Sequence, residues 1–271
     1  MTQTLRIIGS FVERDLRRLL SYRFALLMQC GAALVYLLVF FYIAKVFDPM
    51  ASPYLAAYGG DYFAFVLIGI GFMSFCRSAM TSYAADIRSG QMLGTLEAMM
   101  ATPVRSSLFL VGSSFSNFGL AAFRIVLYIL AGVFLFGLRF EGLHGPAAIL
   151  ILVLAVIAFS GLGVLSASCI LAFKKGDPVT LAVNASAALL GGVFFPIEVL
   201  PSWLASVSAC LPITYALRAM RTALFQGATW SDVGFDILVL TAFAVVLPIA
   251  AVASFRAALA RARREGSLAQ Y

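Results

Sequence analysis

Residues 24–44 form an apolar run that contains no charged side chain. About 20 apolar residues in a helix cross the hydrocarbon core of a bilayer, so this run is long enough to span a membrane. Several further stretches reach the same length with almost no charge. The chain is 62% hydrophobic and only 11% charged, which leaves too few polar side chains to face water on all sides. The sequence therefore predicts an all-α integral membrane protein.

Six runs are predicted to span the membrane. Their approximate bounds are 24–44, 62–82, 107–138, 146–173, 179–198 and 233–255. The third run is longer than a bilayer requires, so its beginning is expected to project into the cytoplasm. Together the six runs make a transmembrane domain over residues 24–255, which a basic tail over residues 256–271 follows.

Residues 1–23 place apolar side chains at steps of three and four residues, with arginines between them. This spacing predicts an amphipathic helix that lies along the membrane surface, with Arg14, Arg17 and Arg18 on its basic face. A plain helical extension of the first span is the alternative. The arginines interrupt any compact apolar core, so no cleavable signal peptide is predicted.

The distribution of Lys and Arg predicts the orientation of the chain, because short cytoplasmic segments hold the excess of positive charge. With the N terminus inside, the inner segments hold 14 Lys and Arg and the outer segments hold four. Both termini are therefore predicted to be cytoplasmic. The net charge of +7 then fits contact with anionic lipid, and binding of nucleic acid need not be invoked.

Residues 196–232 lie outside by this count, although much of the segment is apolar. Pro201 and Pro212 divide it into two helical pieces, each too short to cross a bilayer. We therefore expect a re-entrant hairpin that dips into the outer leaflet. A folded extracellular cap is the alternative.

Several kinds of active site lack their residues in this sequence. A phosphate-binding loop needs a lysine after a glycine, and none of the three lysines has one. The central parts of the predicted spans contain no Asp or Glu, the groups that ion-coupled carriers use. The four cysteines are scattered singly, so no metal site is predicted. No catalytic residue and no bound cofactor are expected in this chain.

Residues 90–103 predict a short apolar helix on the cytoplasmic side, which Pro103 stops. Leu93, Leu96, Met99 and Met100 would form an apolar patch facing water unless a partner covers it. Packing of this helix on its own bundle or on lipid headgroups is the alternative.

The run 94–103 resembles the cytoplasmic coupling segment of the type-2 ABC exporter permeases, and residues 194–204 resemble the outer part of the same family. The resemblance implies a permease that pairs with a second copy as a homodimer and docks two copies of a soluble ABC ATPase. ATP and Mg would bind that ATPase. The coupling residues implied are Leu93, Gly94, Thr95, Leu96, Glu97, Met99, Met100, Thr102 and Pro103.

The family resemblance also implies that substrate passes between two permeases, along the first, second and fifth spans. The residues expected to line this path or its gate are Tyr36, Phe40, Phe72, Arg124, Asn184, Phe194, Phe195 and Trp203. For the aromatic residues, ordinary packing and interface anchoring are the alternative. Arg124 is a charge inside a span, so it should face water or a partner unless it snorkels to the interface.

The sequence thus predicts the permease subunit of an ATP-driven exporter in the cytoplasmic (inner) membrane. An amphiphilic cargo, either a drug-like molecule or a lipid, is expected to leave the cytoplasm or the inner leaflet. Export of a lipid-linked polysaccharide by the same architecture is the first alternative. An ATP-independent channel or secondary carrier is the more distant one.

Overall fold

The computed structural model describes residues 23–47, 62–92, 121, 125–138, 142–173, 177–227 and 229–264. Every regular element in these ranges is helical. The longer helices are α1 (Arg23–Phe47), α2 (Tyr62–Met92), α3 (Ile125–Phe136), α4 (Gly145–Phe173), α5 (Pro178–Leu190) and α8 (Trp230–Arg264). Between α5 and α8 lie the 3-10 turn Ile197–Val199 and the helices α6 (Ser202–Ser208) and α7 (Pro212–Phe225).

Within the described residues, three helices are long and apolar enough to cross a membrane, over Tyr62–Tyr83, Gly145–Ala172 and Trp230–Arg261. Shorter apolar helices cover Leu34–Val46, Ile125–Phe136 and Val179–Leu190. These six lie within or across the six predicted runs, and the structure therefore agrees with an all-α membrane protein.

Two predicted bounds differ from the helices observed. Helix α5 ends at Leu190, not near residue 198, because Gly192 adopts a φ of 72° that breaks the helix. Helix α8 continues to Arg264, so the first part of the predicted basic tail is helical. The apolar pattern runs on past Leu190, which is why it did not reveal the end of α5.

Helix α2 occupies the centre of the bundle. Every residue from Phe63 to Phe72 is buried, whereas α8 exposes large apolar side chains such as Phe235, Leu238 and Ile249. Helix α4 packs most extensively on α8 and next on α2. In a membrane, apolar side chains on the outside of a bundle face lipid, so α8 has the surface of a lipid-facing helix.

Two glycines let α4 approach its neighbours closely. A Cβ at Gly161 would lie 2.8 Å from the backbone of Leu247 and of Pro248 in α8. A Cβ at Gly163 would lie 2.7 Å from the carbonyl oxygen of Met80 in α2. Residues two apart point to nearly opposite sides of a helix, so α4 is held between α2 and α8 at this level.

Asp177 caps the beginning of α5. Its Oδ1 accepts the backbone N–H of Thr180 at 3.0 Å and also the hydroxyl of Ser166 in α4, which is fully buried. The Thr180 hydroxyl in turn donates to Ser166 Oγ at 3.1 Å. One carboxylate thus supplies a helix cap and a link between α4 and α5.

We expect Asp177→Ala to lower the free energy of unfolding by about 1.5 kcal/mol, since it removes a helix cap and leaves the Ser166 hydroxyl without its acceptor. Asp177→Asn keeps an acceptor oxygen and should retain most of this stability. Equilibrium unfolding of the purified protein in SDS–detergent mixtures measures both. Equal stability of the alanine variant and the parent would contradict the cap.

The two ends of the bundle differ in which helices begin and finish there. At the hairpin end α1, α3 and α5 finish, α2, α4 and α8 begin, and the hairpin formed by α6, α7 and residues 209–211 packs. At the opposite end α2 reaches Met92 and α5 begins at Pro178.

Candidate functional site at the hairpin end

An aromatic stack joins α1 to the turn that follows α5. The Tyr36 and Phe40 rings meet edge to face, with centroids 5.2 Å apart. Phe40 then stacks on Phe194, with centroids 5.6 Å apart and ring planes 12° from parallel. Three residues predicted to line the substrate path therefore lie together.

The other residues predicted for the path lie apart from this stack. Phe72, on α2, is buried in the hydrophobic core of the bundle, and Asn184 is half-buried on α5. Phe195 is half-buried in the turn after α5, and Trp203 is exposed on α6. Arg124 lies outside the described residues. So do Arg14, Arg17 and Arg18 and the whole predicted coupling segment, residues 93–103.

A second aromatic cluster packs the ends of α1, α2 and α3. Phe41 contacts Phe63 and Phe136, with ring centroids 5.4 Å and 4.6 Å away, and the centroids of Phe63 and Phe136 lie 5.0 Å apart. The Lys45 ammonium lies 4.9 Å from the Phe41 centroid, which is within the range of a cation–π contact. Aromatic contacts therefore join α1 to α2 and α3 at the hairpin end.

Residues 191–196 form the turn that carries Phe194. Gly192 has a φ of 72°, a backbone conformation that residues other than glycine rarely adopt. Gly191 faces the side chain of Ile213 in α7, where an added Cβ would find no room. The turn is therefore pressed against α7, and its glycines allow that approach.

The hairpin itself is fastened by short polar contacts. The Ser208 hydroxyl donates to the carbonyl oxygen of Leu190 at 2.6 Å, and the Thr214 hydroxyl donates to the carbonyl oxygen of Ser208 at 2.8 Å. The Tyr215 hydroxyl donates to the carbonyl oxygen of Ala209 at 2.9 Å. Both prolines stand at helix starts, Pro201 just before α6 and Pro212 as the first residue of α7, where proline is well tolerated.

Helix α7 is enclosed by the bundle. Ten of its fourteen residues are buried, and it contacts α2, α4, α5 and α8. Its last turn lies beside the start of α4, where the His144 backbone N–H donates to the carbonyl oxygen of Ala223 at 2.9 Å. This packing does not fit a cap that folds apart from the membrane helices.

Arg221 is the most unusual residue of α7, since its side chain is charged and only 3% exposed. Nη1 donates to the carbonyl oxygen of Gly192 at 2.7 Å. Nη2 donates to the carbonyl oxygens of Phe65 at 3.0 Å and Val193 at 3.2 Å. The guanidinium carbon also lies 3.4 Å from the centroid of the Phe65 ring. One side chain thus joins α7, the turn and α2.

From the sequence alone, Arg221 is one of the four Lys and Arg residues of the predicted outer segments. A signal was present, because Leu217 lies four residues before it and Leu224 three residues after it. That spacing places the arginine on the apolar face of its helix, where a charge needs specific partners.

Arg218 makes a separate contact from α7 to α8. Its Nε donates to both carboxylate oxygens of Asp236, at 3.1 Å and 2.9 Å, and Nη2 donates to Oδ1 as well. The side chain of Asp236 is 8% exposed and that of Arg218 is 40% exposed. The acid is therefore buried and depends on its partner, while the base reaches the surface.

Within the described ranges, no three His, Cys, Asp or Glu side chains come together in a way that could hold a metal ion. The arrangement at the hairpin end consists of aromatic rings, turn backbone and two arginines. It joins α1, α2, α7 and α8 to the turn that follows α5.

A family model and several known proteins match this chain. The model of the family described as ABC-2 type transporter matches residues 7–225. The inner membrane transport permease YadH of Escherichia coli is 25% identical over 164 residues, 60% of this chain and 63% of that permease. The ABC transporter G family member 20 of Dictyostelium discoideum is 27% identical over 163 residues, 59% of this chain and 22% of that protein. The chain thus spans less than two thirds of the length of both relatives.

Proposed function

The chain belongs to the ABC-2 type transporter family, and from that membership we propose that it is the membrane-spanning permease subunit of an ATP-driven exporter. The observation that carries the proposal is the extent of the family match. It runs from residue 7 to residue 225 and so includes both the predicted coupling segment and the hairpin. The chain itself would have no ATPase site.

The proposed energy source is a soluble ABC ATPase, present in two copies, which binds ATP and Mg. It would dock on the coupling segment, residues 93–103, with Leu96, Glu97 and Met99 in the contact. The position of this segment supports the idea, because it follows Met92, the last residue of α2. A force applied there would reach the most buried helix of the bundle.

The proposed route lies between two copies of the permease in the inner membrane, with both termini in the cytoplasm. An amphiphilic cargo fits the exposed face of α1, which mixes aromatic and aliphatic side chains such as Tyr36, Val39 and Tyr42. Helix α5 has thirteen residues, which extend about 20 Å and fall short of a bilayer core of about 30 Å. The turn and hairpin that follow α5 would complete the crossing as a re-entrant element.

Affinity purification from the native host in mild detergent tests the proposal. We expect a soluble protein with a phosphate-binding loop to co-purify with the parent chain and to be lost with Glu97→Arg, because the reversed charge disrupts docking. Glu198→Arg is the matched control, since Glu198 is exposed at the hairpin end and its variant should keep the ATPase.

Mass spectrometry of the co-purified proteins gives the readout. A folded, monodisperse chain that brings down no ATPase under several mild conditions would contradict the exporter. Retention of the ATPase by Glu97→Arg would contradict the assignment of the coupling segment, but it would not contradict the exporter.

A further inference from the structure

The buried side chain of Arg221 holds the residues immediately before the aromatic stack. Its hydrogen bonds reach Gly192 and Val193, and the next residue, Phe194, stacks on Phe40 of α1. Its third bond reaches Phe65 in the first turns of α2. Hydrogen bonds from a charged donor in a low-dielectric interior are among the stronger ones in proteins. The turn is therefore attached to α2 and α7 more firmly than to α1.

Gly69 makes this attachment possible from the side of α2. A Cβ there would lie 2.9 Å from Arg221 Nη2 and would overlap the carbonyl oxygen of Val193. The glycine thus leaves space for both partners at the point where the turn meets α2. Arg221 donates to three backbone carbonyls, and Gly69 leaves the space that its guanidinium occupies. We name this set of contacts the Arg221 clasp.

We propose that Arg221 is a positioning residue of the transport gate, which keeps the turn on α2 and α7 as one rigid unit so that Phe194 closes against Phe40. Opening then separates α1 from this unit and leaves the clasp intact. The inference rests on the proposed function for its gate, while the clasp itself is a property of the folded chain.

The continuity of α2 explains why such a unit is useful. From Gly69 to Met92 the helix runs unbroken for about 35 Å, at about 1.5 Å per residue. Displacement of the proposed coupling segment would therefore move the turn together with α2. Helix α1 packs on α2 much less extensively than α4 does. Helix α1 is therefore the element that can separate from the unit.

A cross-linking experiment tests the clasp in native membranes without ATP. The four native cysteines are replaced by serine or alanine, and Phe40→Cys and Phe194→Cys are introduced as a pair. A short bifunctional methanethiosulfonate reagent joins them, and mass spectrometry of the linked peptides gives the rate. Arg221→Met removes all three hydrogen bonds, and the loss of one alone corresponds to about tenfold, so we expect this variant to slow linking by about tenfold or more.

Two matched controls separate the clasp from general damage to the bundle. Arg218→Met removes another arginine of α7 and its bonds to Asp236, yet it should leave the linking rate unchanged. Gly69→Ala should slow linking as Arg221→Met does, whereas Gly234→Ala should not, because a Cβ at Gly234 has no neighbour within 4 Å. Rates are compared on the fraction that elutes as folded protein in size-exclusion chromatography.

Equal linking rates in Arg221→Met and Arg218→Met would overturn the proposal, as would failure of the pair to link in the parent. If Arg221→Met does not fold, Gly69→Ala decides by the same criterion. None of these results depends on an ATPase. A failed co-purification would therefore contradict the exporter proposal but not the clasp.

The gating role has its own test, in the complex with the co-purified ATPase. ATP with vanadate should slow linking in the parent and should have no further effect in Arg221→Met. A parent rate that ATP does not change would refute the gate while the clasp remains.

Discussion

Replacing Gly163 by valine is expected to lower the melting temperature by about 8 °C, because overpacking the crossing of α4 and α2 costs about 3 kcal/mol. A Cβ at this position would lie 2.7 Å from the carbonyl oxygen and 2.9 Å from the Cα of Met80. It would also lie 2.9 Å from a ring carbon of Tyr83. Two of these three atoms belong to helix backbone, which cannot move aside as a flexible side chain can. The helices must therefore separate.

Gly234→Val is the matched control for this prediction. Gly234 is also helical, but a Cβ there meets nothing within 4 Å, so the change in helix propensity is the same and the steric conflict is absent. The monodisperse fraction after heating in detergent, measured by size-exclusion chromatography, gives both melting temperatures. Equal values for the two variants would show that α2 and α4 do not approach at Gly163 as closely as described.

The membrane class and the division of the hairpin into two short helices at its prolines could be predicted from the sequence, because their causes are local. A run of uncharged residues is a membrane-spanning candidate whatever surrounds it. A proline fixes its own φ and donates no hydrogen bond, so Pro201 and Pro212 mark helix starts without knowledge of their neighbours. The family resemblance came from local runs of residues in the same way, and the family match over residues 7–225 confirms it.

The clasp could not be predicted because its partners are distant in sequence. Arg221 bonds residues 28 and 29 positions before it and one 156 positions before it, and the acceptors are backbone carbonyls that any residue type provides. Residues 193–195 are as apolar as the helix they follow, so hydropathy alone extended α5 beyond Leu190. Tyr36, Phe40 and Phe194 were predicted by resemblance, and only the structure places their rings in contact.

Arg218 and Asp236 should respond unequally to substitution, although they form one ion pair. Arg218→Met leaves a carboxylate that is 8% exposed without its guanidinium partner, and loss of one member of a buried pair costs about 3 kcal/mol. Asp236→Asn leaves an arginine that is 40% exposed and can turn its charge towards water or lipid headgroups, so we expect a loss of about 1 kcal/mol. The burial of the acid therefore determines how much stability each substitution costs, more than the strength of the ion pair does.

The double variant Arg218→Met/Asp236→Leu separates these two terms. If burial of an unpaired carboxylate is the main penalty, removing the acid as well should recover about 2 kcal/mol of what Arg218→Met loses, since an apolar pair of similar volume often replaces a buried ion pair at little cost. Unfolding in SDS–detergent mixtures, followed by the reactivity of the buried Cys76 thiol in a background in which the other three cysteines are replaced by serine, measures all four proteins. A double variant as unstable as Arg218→Met would mean that the pair itself holds α7 to α8, with its charge attraction outweighing the cost of burying the acid.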